Sequence, residues 1–248
     1  MFEKVNVLGA EIANLSIDEI VDILINNAKQ KRTTCVYTPN AEIIERFRKD
    51  PDLLDLLNSA DILSPDGIGV VYGAKILGTP VKGRAAGFEI ASMLLEKGLN
   101  QSLSFFFFGS KDAVCKKAKE NMEKKYPNIK IVGTRNGYFS DTEDIASEIA
   151  EKNPDIIFVC LGAPKQEKWI YENKEKLNGK ILLGLGGTLD GLAGVVKRAP
   201  DIYIKLNLEW LYRLIQQPTR FFRMLALPRF LIAVLVNKLS QKTKVSKV

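Results

Sequence analysis

At 248 residues, with 46% apolar and 26% charged side chains, the chain is long and apolar enough to bury a globular core, which excludes an intrinsically disordered chain. It holds no histidine. That removes His-activated serine or cysteine nucleophiles, His-bearing metal sites and the commonest general base, leaving Asp or Glu for proton transfer near neutral pH. The net charge of +7 sits at one end: residues 197–248 carry 11 Lys and Arg against Asp201 and Glu209, while residues 1–196 carry 25 against 27. Such a tail implies an anionic partner, either an acidic membrane surface or nucleic acid.

In chain order, the first apolar run, VNVLGAEIANL, is short, interrupted by Glu11 and without a basic flank. No secretory signal is read there, and a cytosolic start is expected. Strands are predicted at residues 4–9, 33–39, 60–66, 102–110, 129–137, 155–162 and 180–187. Helical patterns fall between most of them: SIDEIVDILINNAKQ, AEIIERFRKDPDLLDLLNSA, AAGFEIASMLLEKG, KDAVCKKAKENMEKKYP, TEDIASEIAEKN and PKQEKWIYENKEKL. Continuous apolar strands such as FFFF and IIFVCL are of the kind buried on both faces, so the pattern predicts an α/β fold, a Rossmann-like parallel sheet covered by helices. Cys35, Cys115 and Cys160 form no CxxC pair, so neither a disulfide framework nor a zinc knuckle is expected; Cys35 and Cys160 read as small buried hydrophobes in strands.

After KRAP, residues 197–200, the strand pattern stops. IYIKLNLEWLYRLIQQ reads as one helix, with Ile204, Leu208, Leu211 and Ile215 within roughly a 60° sector and Arg213 opposite. Pro218 breaks it, and TRFFRMLAL and PRFLIAVLVNKL follow. The longest uncharged apolar run, Phe230 to Val236, is far below the ~20 residues that span a bilayer. The expected organisation is a catalytic domain over residues 1–196 and a basic amphipathic helical appendage over 197–248, able to lie on a membrane without crossing it.

In open parallel sheets, ligands bind beyond the carboxyl ends of the strands. Thr38 and Asn40 flank Pro39 at one such end, where Asn40 also reads as a helix N-cap. Asp66, in LSPDGIGV, ends the third predicted strand and is either plain Pro-Asp-Gly turn chemistry or the carboxylate at a reacting centre. Gly162-Ala163-Pro164-Lys165-Gln166 follows the sixth, with Pro164 read as the first helical residue and the turn amides facing outward as an anion site. The run GLGGTLDG has Leu189 where the GxGxxG fingerprint needs its third glycine, so an NAD site is disfavoured. Its Gly186 and Gly187 suit either close backbone approach to a phosphate or nucleoside, with Asp190 accepting from hydroxyls, or simple strand–helix packing. Asp50-Pro51-Asp52 spells the DxD of metal-dependent sugar transferases, but a helix cap explains all three residues and no metal site is expected. In VKGRAAG, Lys82 and Arg84 lie in a loop, where a guanidinium could clamp a diphosphate.

The blocks TPNAEII, SPDGIGVV, GAPKQEKWI and GGTLDGLAGVVKRAP, in order from about residue 5 to about residue 235, resemble the signature blocks of the WecG/TagA/CpsF glycosyltransferases, glycosyltransferase family twenty-six. The basic appendage looks most like the TagA branch. The resemblance implies an inverting, metal-independent transfer of N-acetylmannosamine (ManNAc) from UDP-ManNAc to the 4-hydroxyl of GlcNAc on undecaprenyl diphosphate, in wall teichoic acid linkage-unit synthesis. It implies no cofactor, and a peripheral location on the inner face of the cell membrane. Carried over by motif, Asp66 would be the base, Thr38, Asn40 and Gln166 would hold the sugars, and Arg84 would meet a diphosphate. Gly162, Lys165, Gly186, Gly187 and Asp190 would line the donor site. Arg213, Arg220 and Arg223 of the appendage would enter the active site or touch lipid phosphates, Arg220 and Arg223 sharing a helix face by their spacing of three. Two alternatives stand beside this: the same fold using UDP-glucose or UDP-ManNAcA, and a basic binding protein without catalysis. The tail aromatics lie among Leu and Ile at amphipathic spacing, which suits a membrane interface better than stacked bases, so nucleic acid is not the expected partner. Self-association is left open.

Overall fold

The first predicted strand does not join the main sheet. β1 (Lys4–Val7) turns at Leu8 and Gly9 and pairs antiparallel with β2 (Ala10–Ala13), a strand the sequence pattern did not separate. Leu8 and Gly9 both have positive φ, 55° and 95°, as a two-residue hairpin turn requires. A computed structural model describes residues 2–140, 143–196, 199–206, 208–216, 218 and 221–245.

The remaining predicted strands form one parallel sheet: β3 (Thr34–Tyr37), β4 (Ile62–Leu63), β5 (Ser104–Gly109), β6 (Lys130–Arg135), β7 (Ile156–Cys160) and β8 (Ile181–Gly184), in the spatial order β4-β3-β8-β7-β5-β6. The helices of the body are α1 (Ile17–Lys29), α2 (Ala41–Phe47), α3 (Pro51–Asn58), α4 (Ile68–Leu77), α5 (Gly87–Leu99), α6 (Asp112–Lys125), α7 (Ile145–Glu151), α8 (Lys165–Asn173) and α9 (Thr188–Leu192). The single helix predicted over residues 41–60 is two, because Asp50 caps α3 by accepting from Asp52 N at 3.1 Å and Leu53 N at 3.3 Å. Proline at the first position of α3 could not have continued α2. The helix α4 was not predicted. Its sequence IGVVYGAKIL is apolar but for Lys75, so it carries little 3.6-residue contrast to betray it.

The FFFF run shows how the sheet is buried on both sides. Phe105 and Phe107 enter a core layer shared with α1, α5, α6 and α9, whereas Phe106 and Phe108 enter the layer beneath α2, α4, α7 and α8. Phe107 stacks on Phe158 with ring centroids 5.4 Å apart, and Phe108 meets Trp169 of α8 at 4.7 Å. Burying one such ring stabilises by about 1.5–3 kcal/mol. This layering also positions the site. The chain leaves β3 and β7 toward one face and β5 and β8 toward the other, so their loops part at the carboxyl edge, where an open sheet of this kind forms its crevice.

Beyond the body lie α10 (Asp201–Lys205), α11 (Glu209–Gln216), α12 (Phe221–Met224) and α13 (Ala226–Val245). The one helix predicted over 202–217 is thus broken, with Leu206 in a turn and Leu208 outside both α10 and α11, so the stripe of Ile204, Leu208, Leu211 and Ile215 is not one continuous face. α13 returns to the body. Its Phe230 and Val234 are buried against α4, where Gly73 makes room: a Cβ there would lie 2.9 Å from the Phe230 ring. Lys238 Nζ donates to Leu77 O at 2.7 Å, at the carbonyl end of α4. No described helix is long and apolar enough to cross a membrane.

Candidate active site

Asp66 lies where β4 ends, and three backbone contacts fix it. Its N–H donates to Ser64 O at 2.9 Å and Pro39 O at 3.3 Å, and its Oδ2 accepts from Gly87 N at 3.3 Å, the first residue of α5. The carboxylate is therefore held at the positive end of a 13-residue helix, half-exposed in the crevice. Gly67, at φ 89°, turns the chain immediately afterwards into α4, a conformation that L side chains rarely adopt. Turn chemistry and an outward carboxylate coexist at this position.

Around Asp66 the crevice gathers several of the sequence-predicted residues. Asn40 is the N-cap of α2, its Oδ1 accepting from Ile43 N at 2.9 Å, and its Cβ lies 3.8 Å from where a Cβ on Gly67 would stand. Its Nδ2 makes no hydrogen bond among the described residues. Thr38 is buried and donates its hydroxyl to Gly184 O at 3.0 Å, tying β3 to β8. Its proton is committed, so only its oxygen lone pairs remain for a ligand. Gly87 abuts the same hydroxyl, 3.0 Å from its own would-be Cβ. Gln166, only 2% exposed, points inward: Oε1 accepts from Gly186 N at 2.9 Å and Nε2 donates to Glu167 Oε1 at 2.9 Å. It shapes the β8–α9 turn as much as it faces the crevice.

Arg84 reaches the same region through its loop, since Ala85 N donates to Pro65 O at 3.0 Å. Its guanidinium is paired with Glu89 of α5 and, at 3.4 Å, with Glu209 of α11. A diphosphate would have to exchange with those carboxylates. Gly186 takes φ 54° with open space beside it, and Gly187 caps α9. Asp190 accepts from Ser110 Oγ at 2.9 Å, placing the end of β5 beside the same turn. Ser110 was not singled out from sequence; its φ of 54° marks a constrained turn at a strand end.

Other placements differ from expectation. Pro164 is the N-cap of α8 rather than its first residue, and Gln166 N donates to Gly162 O at 3.0 Å, so that amide is not turned to an anion. Gly162, at φ 77°, has open space beside it. Lys165 leans away, donating to Gly137 O at 3.1 Å and lying 4.2 Å over the Phe139 ring. Arg223 pairs with Glu42 in the first turn of α2 at 2.7 Å, two residues from Asn40. Arg213 is on α11 but its side chain lies outside the described residues, as does Arg220 entirely.

Burial decides which groups titrate usefully. It pushes the thiols of Cys35 and Cys115 up to about 12 and about 11, and Cys160 higher still, so none is a thiolate near neutral pH. Burial likewise lifts Glu167 above the ordinary carboxylate range, against the pull of the Gln166 amide. Sequence reasoning missed Glu167, although a glutamate on the helix side that carries Ile170 three residues later was a readable signal. Among the crevice acids the half-buried Asp66 is the one whose carboxylate accepts from a backbone amide at a strand end.

Residues 5–244 match the family model described as glycosyl transferase WecG/TagA/CpsF family. A protein of Bacillus subtilis (strain 168) named N-acetylglucosaminyldiphosphoundecaprenol N-acetyl-beta-D-mannosaminyltransferase is 38% identical over 231 residues, 93% of this chain and 90% of that protein. Proteins of the same name are 38% identical in Bacillus spizizenii (84% of this chain, 81% of that protein) and 31% identical in Staphylococcus aureus (strain MRSA252), covering 98% of this chain and 96% of that protein.

Proposed function

The chain belongs to the WecG/TagA/CpsF glycosyltransferase family, and from that premise we propose that it transfers N-acetylmannosamine from UDP-ManNAc to the 4-hydroxyl of GlcNAc on undecaprenyl diphosphate, in wall teichoic acid linkage-unit synthesis. The reaction is inverting and needs no metal: Asp66 takes the acceptor hydroxyl proton while UDP leaves from the opposite face of the sugar. The observation that carries the assignment is the Asp66 carboxylate, fixed by Gly87 N at 3.3 Å and bordered by Asn40 in a histidine-free crevice. Asn40, Thr38 and Gln166 orient the sugars. Arg84 serves the diphosphate with Gly162 and the Gly186–Gly187 turn, joined by Lys165 once it leaves Gly137 O, and Asp190 serves the nucleoside.

Leaving-group charge falls to cationic side chains, a term that is often the largest in such catalysis. Arg84 is one source, and Arg213, Arg220 and Arg223 of the appendage are the others. On this reading residues 1–196 carry the proton transfer and the sugar contacts, and residues 197–248 add these arginines while resting on the anionic inner surface of the cell membrane, where the lipid acceptor lies. In support, Leu231, Ile232, Leu235, Val236 and Leu239 of α13 are all exposed, beside a basic tail.

The test is a donor panel with a GlcNAc-diphospho-lipid acceptor analogue, reading UDP release. UDP-ManNAc is expected to be turned over fastest. Faster turnover with UDP-glucose or UDP-ManNAcA would keep the fold and reject the assigned donor.

A further inference from the structure

Glu167 is the most buried acid among the described residues, at 1% exposed, and its Oε2 has no hydrogen-bond partner there. The other deeply buried acid, Glu45, is ion-paired with Arg48 and Lys49, whereas Glu167 has no ion pair among the described residues. A carboxylate buried with one oxygen unpartnered is costly, so burial favours the neutral form of this group. A neutral carboxyl still offers an acceptor oxygen, and Gln166 Nε2 uses it at 2.9 Å.

A glutamine amide is two-sided, and what meets one end decides what the other presents. With Glu167 Oε1 on one side, the Gln166 donor end is fixed there, and its Oε1 is left to receive Gly186 N at 2.9 Å. Gly184 makes the arrangement possible, since a Cβ on it would lie 3.1 Å from Gln166 Nε2. Tyr37 braces the same segment from β3 by donating its hydroxyl to Glu167 O at 3.1 Å. The chain of contacts therefore runs from a buried acid, through a buried amide, to the glycine turn at the carboxyl end of β8.

We propose that Glu167 is a positioning residue: its carboxyl sets the orientation of the Gln166 amide, and through it holds the Gly186–Gly187 turn in the shape that receives the donor's diphosphate. The proposal rests on the nucleotide-sugar reading above. It is tested by UDP binding in calorimetry and by donor and acceptor KM for wild type, Glu167→Gln and Glu167→Leu. Glu167→Gln keeps an acceptor oxygen for Gln166 and should leave UDP affinity and donor KM within about twofold of wild type. Glu167→Leu removes the acceptor and frees the amide to turn, so UDP Kd and donor KM should rise about tenfold with acceptor KM unchanged.

The positioning role is overturned if Glu167→Leu binds UDP as wild type does, if Glu167→Gln is as damaged as Glu167→Leu, or if acceptor KM rises in step with donor KM. Should Glu167→Leu not fold, Gly184→Ala disturbs the same amide from the opposite side, and an unchanged donor KM in that variant overturns the role. Wild type that binds no UDP refutes instead the nucleotide-sugar reading.

Discussion

Truncating Phe230 to alanine tests how the appendage is held. The ring is 3% exposed and, with Val234, is one of only two buried residues among the described side chains of α13. Replacing a buried Phe by Ala costs about 3–5 kcal/mol. Here the upper half of that range applies, because the facing residue is Gly73, whose would-be Cβ stands 2.9 Å from the ring and which has no side chain to refill the space. Against a total stability of about 5–15 kcal/mol, the loss should leave the body folded while releasing α13. Hydrogen exchange should show lost protection across Ala226–Val245 and along α4, with the strands β5, β7 and β8 unchanged. Chemical denaturation should give a lower midpoint. If the midpoint moves by less than about 1 kcal/mol equivalent and α13 keeps its protection, the Phe230–Gly73 contact does not anchor the appendage.

Other outcomes follow from the same contacts. Because burial raises the carboxyl of Glu167, its contribution to stability is complete below the ordinary glutamate range and is lost as pH rises through the folded-state value. Thermal melts of Glu167→Gln should therefore gain on wild type as pH rises toward neutrality, and parallel curves would contradict this. Asp50→Ala removes the α3 cap and should cost about 1 kcal/mol in denaturation while leaving UDP release intact; lost turnover with unchanged stability would instead point to the metal reading of Asp50-Pro51-Asp52. Replacing exposed Leu231, Ile232 and Leu235 together by glutamine should abolish flotation with anionic liposomes without lowering the melting temperature, and retained flotation would reject α13 as the membrane face.

How much of this was legible in the sequence depended on which physics set each element. Strands buried on both faces announce themselves as apolar runs, so β5, β7 and β8 were readable, and with them the parallel sheet. The β1–β2 hairpin was hidden because Leu8, not an asparagine or second glycine, occupies the first positive-φ turn position. α4 was hidden because Lys75 is its one charged residue, too little contrast to mark a face. The position of Asp66 and Asn40 at the carboxyl edge was legible because a parallel sheet sends its loops to one edge, whatever their length. The partners of Arg84 were not, since Glu209 lies 125 residues away and only the returning appendage brings it close. The inward contacts of the Gln166 amide were not legible either, since they follow from Glu167, whose burial is a tertiary fact.

The central claim is that Asp66 accepts the acceptor proton in transfer from UDP-ManNAc. Asp66→Asn keeps the side-chain oxygen that can accept from Gly87 N but removes the base, so UDP release with lipid acceptor present should fall on the order of 10²–10⁴-fold while UDP binding and melting temperature hold. Near-native turnover in that variant would contradict the account.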